Sequence, residues 1–475
     1  MHCTFSKVYK VKKSILMNKK IIFLSTFCLL VTNLHSQIVV STSLEEAINK
    51  AIDKNISLKN STIEIEKLNL QEKGIRNKYI PTVEAYALYS YFDSNLTLDF
   101  PSTTVGNIPL FKDKGTFDNS GNFFIGSVMA KSVLFSGMQI PNGANAVKQK
   151  AIGTAYLKDS EKDAIIKDVI NTFDQLKLIN ETEKLINDSD KRLNTETKRV
   201  SRAIELGLAI PYDRDKIKLA LLELESKRIE LNGKRTLLYK KIEYLTGYSN
   251  AEINAVQYEI VPYILFDTNL NTDNKQEIKA LESFKLASEY LLKKEKGTYL
   301  PTVGAFGGIT YSSIFDLKGT TSTVPIINQP VSLGVNEFSL SPLLMVGAAL
   351  KWEIFSGFER EHKVHEAKLN IEKVQNQIDD TKQKLQLLLE NNKVNYDVLM
   401  KKIEISNQQE KVAKNNLNLA SKQYKEGLIN VSELLEAEND SFKVSTTKLN
   451  TLIEERLAAI ETIITTGELS KKLSK

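Results

Sequence analysis

Two glutamates, Glu433 and Glu436, stand three residues apart near the start of a segment whose pattern predicts a helix over residues 431–467. Side chains at this spacing share one helix face, so the two carboxylates form one acidic patch that attracts cations. Glu433 also follows Asn430 by three residues, which is the spacing of a capping box that closes a helix N-terminus. The sequence leaves both roles open for Glu433.

His362 and His365 have the same spacing at the start of a helix predicted over 359–426, beside Glu361 and Glu366. A metal site is compatible with this spacing, but a solvated, charged helix face has the same composition, and we favour that interpretation. We therefore predict no metal and no cofactor. The sequence also contains no P-loop, no HExxH and no G-x-S-x-G motif, so we predict no catalytic residues and no enzyme activity.

The sequence repeats itself at an offset of 220 residues, which predicts a tandem duplication. Four motifs recur without insertions: Tyr79-Ile80-Pro81 with Tyr299-Leu300-Pro301, Leu134-Phe135-Ser136-Gly137 with Ile354-Phe355-Ser356-Gly357, Gly207-Leu208 with Gly427-Leu428, and Thr246-Gly247 with Thr466-Gly467. We predict a first structural repeat over 37–247, a linker over 248–273, a second repeat over 274–468 and a C-terminal tail over 469–475.

The N-terminus predicts a secretory signal peptide over residues 1–36, with Met17 as an alternative start. The apolar run from Ile21 to Leu34 is shorter than a membrane-spanning helix needs, although an uncleaved anchor is an alternative. Both cysteines, Cys3 and Cys28, fall inside this leader, so disulfides and cysteine chemistry are not expected in the mature chain.

The formal charge of +6 does not indicate nucleic-acid binding. Six of the 64 basic residues are lysines in the acid-free leader, which leaves 58 basic and 58 acidic residues in the remainder. A neutral mature chain lacks the basic balance typical of nucleic-acid-binding proteins.

The sequence pattern predicts the same order of elements in both halves: helix, strand, polar loop, strand, long helix, tight turn and helix. Pro81 and Gly207 end helices in the first half, and Pro211 suits the first position of the next helix. The predicted helices are 44–78, 144–206, 211–245, 274–298, 359–426 and 431–467; the strands are 82–92, 123–135, 302–312 and 343–355; the polar loops are 93–121 and 313–342.

The two longest predicted helices carry heptad repeats. Their apolar residues recur every seven positions, which predicts left-handed coiled-coil packing. These residues are Ile179, Ile186, Leu193 and Val200 in the first half, and Val364, Ile371, Ile378 and Leu385 in the second, flanked by Ala367, Val374 and Leu388.

One face of the predicted strand 343–355 is apolar, with Leu344, Val346, Leu350 and Trp352, whereas Lys351 and Glu353 fall on the other face. This alternation suits strands that cross a bilayer. The aromatic residues Tyr86, Tyr89, Tyr91 and Phe92 are typical of a lipid-interface girdle. Four strands cannot close a barrel, and open edges in lipid are costly, so several copies must share one barrel.

These motifs together resemble the TolC family of outer-membrane efflux channels over about residues 44–468. The resemblance implies a mainly α-helical fold with a membrane β-barrel portion. Three copies, each with four strands, would form a twelve-stranded β-barrel continuous with a periplasmic α-helical barrel. It also implies the outer membrane of a Gram-negative bacterium as location, extending into the periplasm. The implied partners are two further copies of the chain, a periplasmic adaptor, an inner-membrane pump and outer-membrane lipid.

The resemblance also implies roles for particular residues. Asp213 and Tyr424 match family positions that hold a periplasmic gate, and Glu433 and Glu436 match the constriction, where symmetry would turn each acid into a ring that selects for cations. Gly207 and Gly427 mark the helix turns where an adaptor would dock. The helix–strand junctions are at Pro81, Pro301, Gly137 and Gly357. Ile429 departs from the family pattern, in which a basic residue forms a latch.

We therefore predict a passive, gated channel for the export of small molecules. A channel for a type I protein secretion system is an alternative, because no lumen motif specifies a substrate. A soluble periplasmic coiled-coil scaffold is a second alternative, but it does not explain the four strands.

Overall fold

The computed structural model describes residues 41–99, 103–105, 108–111, 114–265, 270–321, 327 and 329–469. The predicted signal peptide, both cysteines and all of the predicted tail except Leu469 lie outside the described residues. The helices are α1 (Thr42–Lys54), α2 (Ile56–Arg76), α3 (Gln139–Glu205), α4 (Pro211–Thr246), α5 (Asn250–Ala255), α6 (Gln276–Gly297), α7 (Glu359–Lys425) and α8 (Val431–Thr466), with a 3-10 turn at Asn77–Tyr79. The strands are β1 (Thr82–Asp99), β2 (Thr103–Val105), β3 (Ile108–Phe111), β4 (Lys114–Phe135), β5 (Thr302–Thr321) and β6 (Ser332–Lys351).

The helices of the two halves have matching lengths. The long helices α3 and α7 contain 67 residues each, and the return helices α4 and α8 contain 36 each. A helix of 67 residues is about 100 Å long at 1.5 Å per residue. The long strands, the long helices and the return helices follow one another in the predicted order in each half. The boundaries of the repeats and of the linker stay predictions.

The single helix predicted over 44–78 is instead two helices, α1 and α2, separated at Asn55. Asn55 is extended, with φ −60° and ψ 121°, and its side-chain oxygen accepts a hydrogen bond from the Leu58 backbone N–H at 3.0 Å. Asn55 therefore ends α1 and caps the start of α2, because a short polar side chain competes well for free N–H groups at a helix start.

The chain folds as two compact units. The first contains the described residues within Met1–Ile63, Gly153–Glu282 and Asn376–Lys475, and the second contains those within Glu64–Ile152 and Ser283–Gln375. Buried apolar residues in the first unit form two clusters. The larger cluster joins α1, α3 and α8 through side chains such as Leu44, Ile170 and Ile463, and it also contains Ile253 of the short helix α5. We refer to the smaller one as the tip cluster; it contains Ile186, Leu193, Val200, Ile217, Leu224 and Val431.

The heptad residues predicted for α3 are all buried, since Ile179, Ile186, Leu193 and Val200 are at most 5 % exposed. In α7 the outcome is mixed. Ile378 and Ala367 are buried, whereas Val364, Ile371, Val374 and Leu385 are half-buried and Leu388 is exposed. The two long helices therefore carry similar heptad repeats, but a single chain buries the heptad residues of α3 more completely than those of α7.

The second unit contains a four-stranded antiparallel sheet in the order β1-β4-β5-β6, and β2 and β3 form a separate two-stranded hairpin. The strands of the larger sheet are 18 to 22 residues long. The predicted loops 93–121 and 313–342 are therefore largely wrong, because most of their described residues belong to strands. Polar side chains suit an exposed strand when they pair across it, as Asn95 Nδ2 does with Asp118 Oδ1 at 2.6 Å.

The register separates an apolar face of the sheet from a more polar one. Val128 lies opposite Ile309, and Ile309 lies opposite Leu344, so an apolar row runs across three strands. On the other face Lys131 lies opposite Thr82 and Phe306, and its Nζ is 3.3 Å from Glu84 Oε2. Directly opposite residues point to the same side of a sheet.

Among the described residues, no helix combines the length and the apolar composition that crossing a bilayer requires. The edge strands β1 and β6 each pair with only one other described strand. One chain thus builds an open sheet with two unpaired edges.

Candidate functional site

The predicted turn glycines lie in two turns of the same construction. In the first, Leu208 N–H donates to Ala203 C=O at 2.8 Å and Gly207 N–H donates to Ile204 C=O at 3.0 Å. In the second, Leu428 N–H donates to the carbonyl of Gln423 at 2.9 Å. These are the hydrogen bonds of a Schellman motif, which ends a helix with a residue in the left-handed region.

Glycine is required in these turns by backbone conformation and not by crowding. Gly207 has a φ of +71° and Gly427 a φ of +70°, where side chains are strained. A Cβ added at either position would have no atom within 4 Å. The Gly207→Ala substitution should therefore lower the free energy of unfolding by about 1 kcal/mol.

Gly233, inside α4, is the matched control, because a Cβ there also meets nothing within 4 Å. Gly233→Ala should raise the free energy of unfolding by about 0.5–1 kcal/mol, since alanine favours a helix interior. Denaturant unfolding followed by helical circular dichroism measures both changes. A stabilising effect of Gly207→Ala would contradict the assigned turn.

The helices that follow the two turns begin in different ways. Pro211 occupies the start of α4, and no side chain caps that helix. In α8, Asn430 Oδ1 accepts from Ser432 N–H at 2.9 Å and from Glu433 N–H at 3.1 Å. Glu433 Oε2 in return accepts from Asn430 N–H at 2.9 Å. Glu433 therefore forms the capping box that the sequence left open for it.

Glu433 and Glu436 line an open groove between α7 and α8, with a volume of about 1140 Å³. Asp440, one turn further along α8, and Glu404 of α7 line the same groove, and Lys443 is its basic residue. Both predicted acids are exposed. The groove thus collects four carboxylates against one ammonium group, which favours cations.

Asp213 and Tyr424 come together at another place in the first unit. Tyr424 is half-buried against the tip cluster. Burial raises the pKa of the Tyr424 hydroxyl, the negative charges of Asp213 and Glu196 raise it further, and Arg199 opposes them. The tyrosine therefore stays neutral and lies within electrostatic range of Asp213, which starts α4.

Polar contacts that no local sequence pattern indicates bind α8 to α3 and α4 in this region. Arg192 of α3 donates to both oxygens of Glu438, from Nη2 at 2.7 Å and from Nε at 3.0 Å, and Ser189 also donates to Glu438. Lys216 of α4 donates to Ser432 at the start of α8. Glu438 is 6 % exposed, so its charge is buried but fully matched.

A second, deeper set of charges holds the segment after α5. Arg456 of α8 donates from Nε to Asp174 Oδ2 at 2.8 Å and from Nη2 to Asp174 Oδ1 at 3.1 Å, and both residues are 2 % exposed. Arg456 also donates to the Tyr263 hydroxyl at 2.6 Å and to Val261 C=O at 2.9 Å. Tyr258 donates its hydroxyl to Asp174 at 2.9 Å. One arginine therefore joins α3, α8 and residues 258–263.

Glu455 lies beside this pair and is 0 % exposed. Its Oε2 accepts from Tyr263 N–H at 3.2 Å, whereas its buried Oε1 has no hydrogen-bond partner among the described residues. Burial raises the pKa of Glu455 to about 7. Burial also raises the pKa of Asp174, although Arg456 opposes this shift.

The repeated motifs at the helix–strand junctions contact each other in pairs. The Tyr79 hydroxyl, just before Pro81, is 3.1 Å from Ser136 Oγ, just before Gly137. At Gly137, where φ is +61°, an added Cβ would lie 2.4 Å from Gly297 C=O. Gly137 is therefore needed for both its conformation and this close approach.

The second junction uses different side chains for the same purpose. Arg360 donates from Nε to Ser356 Oγ, just before Gly357, at 3.0 Å, and from Nη1 to Thr298 C=O, near Pro301, at 3.1 Å. Trp352 Nε1 donates to Tyr299 C=O at 3.1 Å. The motifs that the sequence repeats thus meet in space at each junction.

Comparison with known proteins supports a channel fold. Residues 336–460 match the family model described as outer membrane efflux protein. No match was found among curated protein sequences.

Solved structures match nearly the whole chain. CusC is similar with a TM-score of 0.71 and 12% sequence identity, over 91% of this chain and 95% of CusC. The Campylobacter jejuni CmeC outer membrane channel is similar with a TM-score of 0.68 and 15% identity, over 90% of this chain and 86% of CmeC. The open state of the Neisseria gonorrhoeae MtrE outer membrane channel is similar with a TM-score of 0.65 and 15% identity, over 93% of this chain and 96% of MtrE. These matches confirm the predicted mainly helical fold with an antiparallel sheet, and they confirm the resemblance to outer-membrane efflux channels. The closed barrel of three copies stays a prediction. Both the family and the structures are of channel proteins and not of enzymes.

Proposed function

We propose that three copies of this chain form a gated exit channel in the outer membrane of a Gram-negative bacterium. Two similarities support the proposal: residues 336–460 match the outer membrane efflux protein family, and the fold is similar to that of CusC. The channel would be passive and would extend into the periplasm. The observation that carries the proposal is the open four-stranded sheet, whose strands have an apolar face.

Unpaired strand edges make a single copy unsuitable for a membrane. In lipid each unsatisfied backbone group costs several kcal/mol, and a barrel that spans a bilayer needs about eight strands or more. Pairing β6 of one copy with β1 of the next would remove both edges. Three copies would supply twelve strands; the number three follows from the family resemblance.

The gate would lie in the first unit and use the four predicted residues. The contact of Tyr424 with the tip cluster near Asp213 supports a role in holding neighbouring helices together. Glu436 is the stronger candidate for a charged ring, because Glu433 also caps α8. Ile429 is apolar, so a basic latch at that position is not part of the proposal.

The turns at Gly207 and Gly427 are proposed as docking sites for a periplasmic adaptor. Three apolar side chains beside them are strongly exposed: Leu206 at 61 %, Leu208 at 80 % and Leu428 at 72 %. Exposed apolar residues clustered in this way favour a protein partner. An inner-membrane pump would supply the energy for export, and outer-membrane lipid would surround the strands.

A channel for protein secretion stays an alternative, because nothing in the acidic groove specifies a small substrate. A soluble periplasmic scaffold is a weaker alternative, since it leaves the apolar sheet face unexplained. Fractionation distinguishes them: a channel requires detergent and runs as a heat-sensitive trimer, whereas a scaffold is found in the soluble periplasm.

Single-channel conductance in a planar bilayer tests the proposal. The wild-type protein should conduct, and a multivalent cation added on the periplasmic side should block it. In Glu436→Gln the blocking concentration should rise at least about tenfold, equivalent to about 1.4 kcal/mol, because three carboxylates are lost from one ring. Glu433→Gln should show a smaller rise.

Glu361→Gln is the control, since Glu361 is an exposed acid at the start of α7 and outside the groove. It should leave the block unchanged. The absence of any conductance would contradict the channel, and an unchanged block in Glu436→Gln would contradict the acidic ring.

A further inference from the structure

A pocket opens on the more polar face of the four-stranded sheet, near the point where the strands meet the helices. Its volume is about 620 Å³, which lies within the range of about 300–1,000 Å³ that is typical of sites for drug-sized molecules. All of its lining residues belong to the second unit. None of the predicted site residues lines it, so it has no part in the function proposed above. We name it the junction pocket.

Small residues form the floor of the junction pocket. The register places Gly304 of β5 between Val133 of β4 and Ala349 of β6. Phe306, two residues further along β5, has its ring over Gly347, because a Cβ added at Gly347 would lie 2.8 Å from Phe306 Cζ. The ring therefore leans over β6, and the space above Gly304 stays open.

The walls of the junction pocket are mostly apolar. Ile80, which precedes β1, and Ile140, in the first turn of α3, border it on the side of the helices, and Met129 borders it further along β4. Ile140 is buried, and Met129 and Phe306 are half-buried. Such walls favour a ligand with an apolar body, because contact with them removes apolar surface from water.

Two lysines give the junction pocket its charge. Lys78 of the 3-10 turn and Lys131 of β4 line it, and both are exposed, while no acidic residue of the described chain is part of the lining. Lys131 has its Nζ 3.3 Å from Oε2 of Glu84, which lies just outside the lining. Two ammonium groups thus stand against one carboxylate, so the pocket attracts anions.

We propose that the junction pocket binds an amphipathic organic anion. Its apolar body would lie on Gly304 and Phe306, and its carboxylate or sulfonate would contact Lys78 and Lys131. A purely apolar molecule would leave both ammonium groups without a partner, and a small inorganic anion would leave most of the cavity unfilled. The source is a free solute and not a membrane lipid, because the pocket opens on the sheet face opposite to the apolar one. The inference goes beyond the proposed function, since one chain contains the whole pocket.

Two fluorescent probes with the same aromatic body test the pocket in phosphatidylcholine nanodiscs. Anilinonaphthalene sulfonate is the anion, phenylnaphthylamine is its neutral counterpart, and empty nanodiscs give the background. The double variant Lys78→Gln with Lys131→Gln should raise the Kd of the sulfonate about tenfold, because each exposed ion pair contributes a factor of a few. The Kd of the neutral probe should stay unchanged.

Two further charge variants make the test specific. Lys318→Gln is the matched control, because Lys318 is an exposed lysine on β5 that lies about 40 Å from Phe306 along the strand, at about 3.3 Å per residue. It should leave both Kd values unchanged. Glu84→Gln should lower the Kd of the sulfonate about two- to threefold, because it frees Lys131 from its exposed ion pair.

A pair of neighbouring alanines tests the location. Ala349→Phe fills the floor of the pocket, so the Kd of both probes should rise at least about tenfold, because the new ring occupies the space of the apolar body. Ala348→Phe is the control, since successive residues of a strand point to opposite faces of the sheet. It should change neither Kd.

The outcomes separate the pocket from its alternatives and from the channel. Equal losses for both probes in the double lysine variant, or unchanged binding in Ala349→Phe, would overturn the pocket. If Ala349→Phe fails to fold, Glu84→Gln decides, because sulfonate binding that does not tighten would also overturn it. Phosphatidylglycerol in the nanodiscs that weakens binding to the wild type but not to the lysine variant would assign the pocket to a lipid and overturn the free anion. A protein that conducts without binding the sulfonate would overturn this inference alone.

Discussion

The Asp174→Ala variant should lose about 3–5 kcal/mol of unfolding free energy, because the substitution breaks a buried ion pair. The substitution leaves the Arg456 guanidinium buried at 2 % exposure without its carboxylate partner, and it also removes the acceptor of the Tyr258 hydroxyl. Denaturant unfolding of the detergent-solubilised protein, followed by helical circular dichroism, measures the loss.

Asp168→Ala is the matched control on the same helix. Asp168 pairs with Lys241 at 2.6 Å, but both side chains are more than 40 % exposed. A surface ion pair of this kind contributes about 0–1 kcal/mol. If the two variants lost equal stability, the buried cluster would not be the main anchor of α3 and α8.

Stability should fall as the pH rises from about 4.5 to about 7, because of Glu455. The unfolded carboxyl has a pKa of 4.5, and burial raises the pKa of Glu455 in the folded protein to about 7. Between these values the folded state binds more protons than the unfolded state, so folding is favoured at the lower pH. At 1.36 kcal/mol per pKa unit, the loss is about 3 kcal/mol.

The Glu455→Gln variant should remove this part of the pH dependence, because its amide is neutral throughout. The groups that interact with Glu455 are Arg456, Asp174, Tyr263 and Tyr396. Among the carboxyl groups, Asp174 has two hydrogen bonds from Arg456, whereas Glu455 has one weak bond from a backbone N–H. The proton therefore resides on Glu455. Identical pH profiles of the two proteins would refute this assignment.

The sequence predicted the long helices well because strong local signals end them. The predicted turn at 207–210 and the predicted start at Pro211 agree with the observed ends of α3 and α4. Gly207 adopts the left-handed conformation that only glycine takes easily, and proline suits a first helical position. Asn55 carried a similar signal, an N-cap residue inside a helical pattern, but the helix predicted over 44–78 continued through it.

Strand lengths were harder to predict. Segments rich in Asn, Asp, Ser and Thr are typical of loops, yet in this sheet they continue β1, β4, β5 and β6. Some of their side chains gain a partner by pairing with another strand, as Asn95 does with Asp118 at 2.6 Å. Such partners are distant in the sequence, so local composition does not reveal them.

The buried cluster around Arg456 could not be predicted either. Asp174 and Arg456 are 282 residues apart, and nothing in either neighbourhood distinguishes them from the many surface charges on the same helices. For the acidic groove, the spacing of Glu433 and Glu436 correctly suggested one face and one cap. Which of the two glutamates caps the helix became clear only from the structure, in which Glu433 accepts a hydrogen bond from Asn430 N–H.

The equal lengths of α3 and α7 restrict how this protein can change in evolution. Removing one residue from the middle of α3 would rotate everything beyond it by about 100°, and Ile186 or Leu193 would turn out of the tip cluster. Insertions and deletions should therefore survive only in multiples of seven, and only when both halves change together. Related chains with shorter or longer versions of α3 and α7 should therefore differ in length by whole heptads.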